Sequence, residues 1–195
     1  MDEEKIKLMW KVILAEVGDN PEREGLLDTP KRVAKMYKEL FRGYDKTQLP
    51  KVTTFTNGAD GLVYDQLVTD EGPFQSLCEH HVIPFFGKYY FGYIPNPKGK
   101  ILGLSKVARV VDYFSARLQI QERLVQDVVT HLWTELSKEG NEPLGMILIM
   151  EGEHLCKTMR GAKKKGNMKS CCVKGIFQTN QDGIKDEFLG LLNLK

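Results

Sequence analysis

Of the four cysteines and four histidines in the chain, most stand in two short runs far apart. One is Cys78-Glu79-His80-His81 within SLCEHHVIPF, and the other is Glu153-His154-Leu155-Cys156, directly after the apolar run 144–150. A fold that uses both runs must carry them to one place, which constrains the architecture more than any other feature. Zinc in catalytic sites takes three protein ligands from Cys, His and carboxylates and leaves a fourth position for water or substrate. Cys78 and His81 have the C-x-x-H separation that lets two side chains reach one ion from a turn, and Cys156 can complete the set from a neighbouring strand. That allocation leaves His80 and His154 unbound beside the ion. Such a site suits hydrolysis, because the metal lowers the pKa of water and imidazoles move protons near neutral pH. On spacing alone the donors also suit a closed structural zinc with four ligands, and a lone His or Cys is more often structural. Two clusters that each pair His with Cys favour function.

The strand candidates are GLVYDQLV, KYYFGYIP, LGMILIME and SCCVKGIF, rich in β-branched, aromatic and other apolar residues. LGMILIME is continuously apolar and reads as a strand covered on both faces. Pro84 and Gly87 punctuate a bend between the first cluster and KYYFGYIP, and GKILGL leads into Ser105, a good N-cap. Helical spacing marks Ile6, Met9, Trp10, Ile13, Leu14 and Val17, up to the stop at Gly18-Asp19-Asn20-Pro21. It marks Val33, Met36, Tyr37, Leu40 and Phe41 again in DTPKRVAKMYKELFRGY, where Thr29 stands as the N-cap and Pro30 suits the first helical position. From Ser105 a long helical stretch carries Val107, Val110, Val111 and Phe114 on one stripe and Leu124, Val125, Val128, Val129, Leu132 and Leu136 on another, with a break near 115–121. This order predicts an α+β domain with helices packed on one face of a mainly antiparallel sheet. A helical N-terminal region and polar connector over 1–60 precede a catalytic domain over 61–195.

With 195 residues, 42% hydrophobic and 28% charged, the chain can bury a real core, and a net charge of +2 announces neither a nucleic-acid nor a membrane partner. The opening MDEEKIKLMWKVILAEVGD begins with acids and is broken by Lys7, Lys11 and Glu16, unlike a signal peptide or a membrane span. A cytoplasmic location follows as the expectation, with thiols serving as ligands, catalysts or small apolar residues. Cations gather locally: 157–181 holds no acid but contains Lys157, Arg160, Lys163, Lys164, Lys165, Lys169 and Lys174. The triple lysine reads as a solvated loop, whereas Arg160 follows Cys156 by one helical turn. Lys106 and Arg109 also lie a turn apart behind Ser105, where free N–H groups and the helix dipole favour anions. Together these suggest a polyphosphate-bearing substrate held by forked arginine contacts. In Gln121-Glu122 the carboxylate could accept two parallel hydrogen bonds from the edge that guanine presents, although such a pair on a helix is more often a polar face.

GLLDTPKRVAKMYKELF, SLCEHHVIPFFGKYYFGYIP, GLSKVARVVDYFSARLQIQERL and EHLCKTMRG stand in one order and spacing, and over roughly residues 25–190 the chain closely resembles the zinc-dependent GTP cyclohydrolase I family. The resemblance implies a tunnelling-fold subunit with a helical N-terminal extension, assembled into a toroidal homodecamer with active sites at subunit interfaces. It implies that Cys78, His81 and Cys156 hold one zinc per subunit and that His80 and His154 transfer protons. Glu122, with Gln121 beside it, would anchor guanine. Ser105, Lys106, Arg109 and Arg160 would hold the triphosphate, joined by Arg32 and Lys35 from a neighbouring subunit. Glu79 is expected to orient a ligand from behind. The implied reaction turns GTP and water into 7,8-dihydroneopterin triphosphate and formate, a first step of pterin and folate-type biosynthesis. In AKKKGNMKSCCVKG, Cys171 and Cys172 replace the small hydroxyl residues common in the family, and packing is their expected role. A related tunnelling-fold enzyme, such as a nitrile reductase, would instead need a nucleophilic Cys and a nicotinamide. A non-catalytic zinc- and GTP-binding homologue would not need His80, His154 and Glu122 together.

Overall fold

A computed structural model describes residues 1–193, so the last two residues of the expected 61–195 unit lie outside the described residues. Helices α1 (Glu3–Glu16) and α2 (Thr29–Leu40) come first, followed by strands β1 (Thr54–Thr56), β2 (Val68–Cys78), β3 (Pro84–Ile94) and β4 (Lys100–Leu102). Then come α3 (Ser105–Ser115), the short strand β5 (Leu118–Gln119), α4 (Gln121–Leu136), β6 (Gly145–His154) and the one-turn helix α5 (Leu155–Thr158). Strand β7 (Asn167–Gly175), α6 (Ile176–Thr179) and α7 (Ile184–Leu191) complete the described elements. The main sheet has the order β5-β2-β3-β6-β7 and is antiparallel except where β5 runs parallel to the end of β2. β1 and β4 form a separate antiparallel ladder. This is the α+β architecture expected from the sequence, with the break at 115–121 occupied by β5.

Alternation along the strands sorts the core. Phe85, Tyr89, Phe91 and Tyr93 of β3 and Met146, Leu148 and Met150 of β6 face α3 and α4 in one apolar cluster. On α4, Leu124, Val125, Val128, Val129, Leu132 and Leu136 are each at most 2% exposed. Burial of such side chains is worth about 1.5–3 kcal/mol apiece, which outweighs the modest helix preference of the valines. Ile94, Ile147 and Ile149 turn to the other side, where Phe177 of α6 and Ile184 and Phe188 of α7 cover them. The continuous apolar run of β6 is thus covered on both faces. In the N-terminal pair, Trp10 meets Tyr37 edge-on at 6.3 Å, but only Leu14 of α1 is buried, and Met9, Ile13 and Val17 of its stripe are exposed. No described helix is long and apolar enough to cross a membrane.

Several local expectations change. GLVYDQLV is a loop apart from Val68, because the side chain of buried Asn57 takes the hydrogen bonds a strand would need. Its Oδ1 accepts from Tyr64 N at 2.8 Å, and its Nδ2 donates to Tyr64 O at 2.6 Å and Asn96 O at 3.0 Å. The adjacent strand instead runs through the polar TDEGPFQ of β2, which gains backbone partners from β3 along its length. Gly87 is not a bend but a mid-strand residue paired with Gly152, where an added Cβ would fall 1.9 Å from Glu151 O. Thr29 and Ser105 begin α2 and α3 instead of capping them; the cap positions are Asp28 and Leu104, neither with a side-chain cap bond.

Leu132 is fully buried between helix and sheet, so Leu132→Ala should lower the unfolding free energy by about 2–5 kcal/mol, read as a fall in the urea midpoint at unchanged slope.

Candidate metal centre and its surroundings

The site grows out of sheet register. Phe85 at the start of β3 pairs with Ser76 on one side and His154 on the other, so β2 and β6, which flank β3, finish at the same end of the sheet. Beyond Ser76 the chain reaches Cys78 and turns back within five residues. Cys78 N–H donates to Ile83 O at 2.9 Å and Val82 N–H to Cys78 O at 2.8 Å, with Val82 in the left-handed region at φ 55°. A β-branched residue there costs of order 1–3 kcal/mol, a strain typical of functional turns. Glu79 N–H donates to Gln119 O at 3.0 Å, tying the turn to β5. Beyond His154, the single turn of α5 lifts Cys156 toward the same place.

One ligand atom each from Cys78, His81 and Cys156 lies within 4.8 Å of the others. Around a tetrahedral zinc such donors stand roughly 3.5–3.8 Å apart, from bond lengths of about 2.3 Å to sulfur and 2.0 Å to nitrogen. Small side-chain rotations therefore close the group on an ion, and two sulfurs with an imidazole are a donor set zinc favours. Cys78 is buried, Cys156 half-buried and His81 exposed, which leaves an open side. Burial, and next the adjacent Cys78 sulfur, push the Cys156 thiol up; a cation between the sulfurs removes that penalty. Arg160 Nη1 donates to His81 Nε2 at 2.5 Å, bringing this cation to the rim.

His154 and His80 flank the group differently. The His154 ring stacks flat on Phe85, 4.5 Å between centroids and 6° between planes, and its Nε2 lies 3.0 Å from Gln121 Oε1. Burial holds its pKa below the ordinary histidine value against the opposing pull of the Glu122 charge. His80 is exposed, with Nδ1 3.6 Å from Cys78 Sγ and Nε2 4.0 Å from Glu79 Oε1. Glu79 itself is gripped by Arg123, whose Nε also donates to Gln119 Oε1 at 2.8 Å. Glu79 thus stands behind His80.

Of the Gln121-Glu122 pair only Glu122 is on the surface; Gln121 is fully buried. Ser105 and Arg109 are exposed and Lys106 half-buried on the first turns of α3. Arg32 pairs with Asp28 at 3.5 Å, and Lys35 lines a cavity with Glu3, Lys38, Glu39, Arg42 and Gln48. Among the described residues, no hydrogen bond or ion pair joins these five polar residues to the sulfur–imidazole group. Cys172 packs against the core, whereas Cys171 on the opposite face of β7 is exposed; all four cysteines are free. Sequence reasoning missed Phe85, Gln119 and Arg123. For Arg123 the signal was its four-residue spacing from Gln119; for Phe85, its alternation with buried Phe91.

The family model described as GTP cyclohydrolase I matches residues 6–193. A GTP cyclohydrolase 1 of Caldanaerobacter subterraneus subsp. tengcongensis is 41% identical, the match covering 100% of this chain and 99% of the relative. One from Listeria monocytogenes serotype 4b is 46% identical over 98% of this chain and 97% of its own. A crystal structure of the archaeosine synthase QueF-Like in the apo form is similar over 56% of this chain and 93% of that chain, at 17% identity and a TM-score of 0.42.

A Cβ on Gly152 would meet Gln121 Oε1 at 2.8 Å and Phe74 Cζ at 3.0 Å. Gly152→Ala should therefore cost about 1–3 kcal/mol of stability by crowding the site. Gly190→Ala, in α7 with nothing within 4 Å, should instead be neutral or stabilising by up to about 1 kcal/mol. Paired denaturant melts check both.

Proposed function

The chain belongs to the GTP cyclohydrolase I family and is a hydrolase acting on GTP, and we propose that its Cys78, His81 and Cys156 hold the zinc of that reaction. The observation that carries this is the convergence of these three donors, from β2, its turn and α5, within 4.8 Å of one another. When bound there, zinc supplies a Lewis acid that brings the pKa of water toward neutrality.

The chain's own residues do the rest. The exposed carboxylate of Glu122 accepts from the guanine N–H and amino group, fixing the base by one edge. Ser105, Lys106, Arg109 and Arg160 take the triphosphate, whose charge suits the guanidinium forks and the start of α3. Held at both ends, the substrate keeps its reacting C8 in place, so orientation is prepaid on binding. His80 and His154 move the protons: one to N7 as water adds at C8 and the imidazole ring opens to a formamide, others as formate leaves. Further transfers accompany ribose opening, rearrangement to a ketone and closure on the ring amines, giving 7,8-dihydroneopterin triphosphate for folate-type synthesis. The half-buried His154, biased toward the neutral form, suits uptake of a proton; the exposed His80 suits exchange with solvent.

Arg32 and Lys35 reach the triphosphate of a neighbouring subunit in a homodecamer. The exposed apolar Met9 and Ile13 of α1, and Val17 just after it, support such an assembly. The four free thiols fit work in the cytoplasm.

The purified protein should carry about one zinc per chain and release formate from GTP with a pterin that fluoresces after oxidation. Cys78→Ser should lose the metal. His80→Ala should keep it while kcat falls by roughly 10²–10⁴. Equal metal loss in both variants, measured by atomic emission, would show His80 to be a ligand.

A further inference from the structure

Gln121 stands at the first turn of α4 with its side chain fully buried. Its Nε2 faces three acceptors: Met150 O at 2.9 Å, Met168 O at 3.0 Å and Ser170 Oγ at 3.0 Å. Turned over, the amide would press its oxygen against two carbonyl oxygens, so the surroundings allow one orientation. In that orientation Oε1 faces His154 Nε2 at 3.0 Å. An amide oxygen only accepts, so Nε2 carries the hydrogen and the neutral ring keeps its lone pair on Nδ1. Phe85 stacks on the ring, and Gly152 lets Oε1 approach where a Cβ would stand 2.8 Å from it.

We propose that Gln121 is a positioning residue that fixes the His154 ring in one orientation and one neutral tautomer, Nε2–H, leaving Nδ1 as the acceptor of that ring. This rests on the reading of His154 as a proton carrier, and it departs from the expectation that Gln121 lies on the guanine beside Glu122. Consecutive helix residues point about 100° apart; with Gln121 turned into the sheet, Glu122 alone faces outward. The His154 ring is therefore held in place by a neutral amide, which sets its tautomer without placing a charge beside it.

The chain has four histidines, so protein labelled with ¹⁵N-histidine gives a tractable long-range ¹H–¹⁵N spectrum, with His154 assigned by its loss in His154→Gln. The expected pattern is the Nε2–H tautomer; an Nδ1–H pattern or an averaged mixture overturns the proposal. This readout needs no turnover, so it stands apart from whether GTP is opened. In Gln121→Met the signal should shift to a mixture, with kcat down about 10²-fold, KM for GTP within about twofold and metal content unchanged. A raised KM at unchanged kcat would instead make Gln121 a guanine contact. If the variant does not fold, the wild-type spectrum decides.

Discussion

Everything at the site depends on a register of three strands, Ser76 opposite Phe85 opposite His154. Period-two alternation means that a slip of one residue would send His154 to the far face of the sheet and separate the two sulfurs. The register is defended from both sides. Met146, Leu148 and Met150 are buried against α3 and α4, and Ile147 meets the cluster of Phe177 and Phe188. A one-residue slip would exchange these two sets, which differ in size and shape, so the apolar core and the site specify the same pairing.

The same sheet end divides two histidines by environment. His154 is stacked, half-buried and hydrogen-bonded to a buried amide, while His80 stands in solvent beside a carboxylate that Arg123 holds. Two imidazoles given such different surroundings can take different parts in proton transfer. The strained Val82 and the bare Gly87 and Gly152 are local conflicts with ordinary strand preference. All three lie where the chain must turn tightly or pack closely around these groups, as expected if function is the reason for them.

Much of this was legible because the informative residue types are rare. Cys and His in two clusters pointed to Cys78, His81 and Cys156, which the fold brings within 4.8 Å of one another, and the continuous apolar β6 and the striped α4 read directly as buried elements. Other features depend on partners that no local pattern reveals. The polar TDEGPFQ becomes a strand through pairing with β3, and GLVYDQLV fails to become one because the Asn57 side chain engages the N–H and carbonyl of Tyr64 at its centre. Gln121 looked like half of a polar face; only the placement of the α4 start over β6 and β7 turns it inward. Thr29 and Ser105 differ by a single residue from the capping positions, within the usual slack of helix boundaries.

On the proposed reading, Cys78, His81 and Cys156 alone supply the protein ligands of an open zinc site. X-ray absorption at the zinc edge of the loaded protein tests it most directly. Two sulfurs, one imidazole and one light non-protein ligand are expected, unchanged in His80→Ala. One sulfur, two imidazoles, or a shell altered by removing His80 would contradict it.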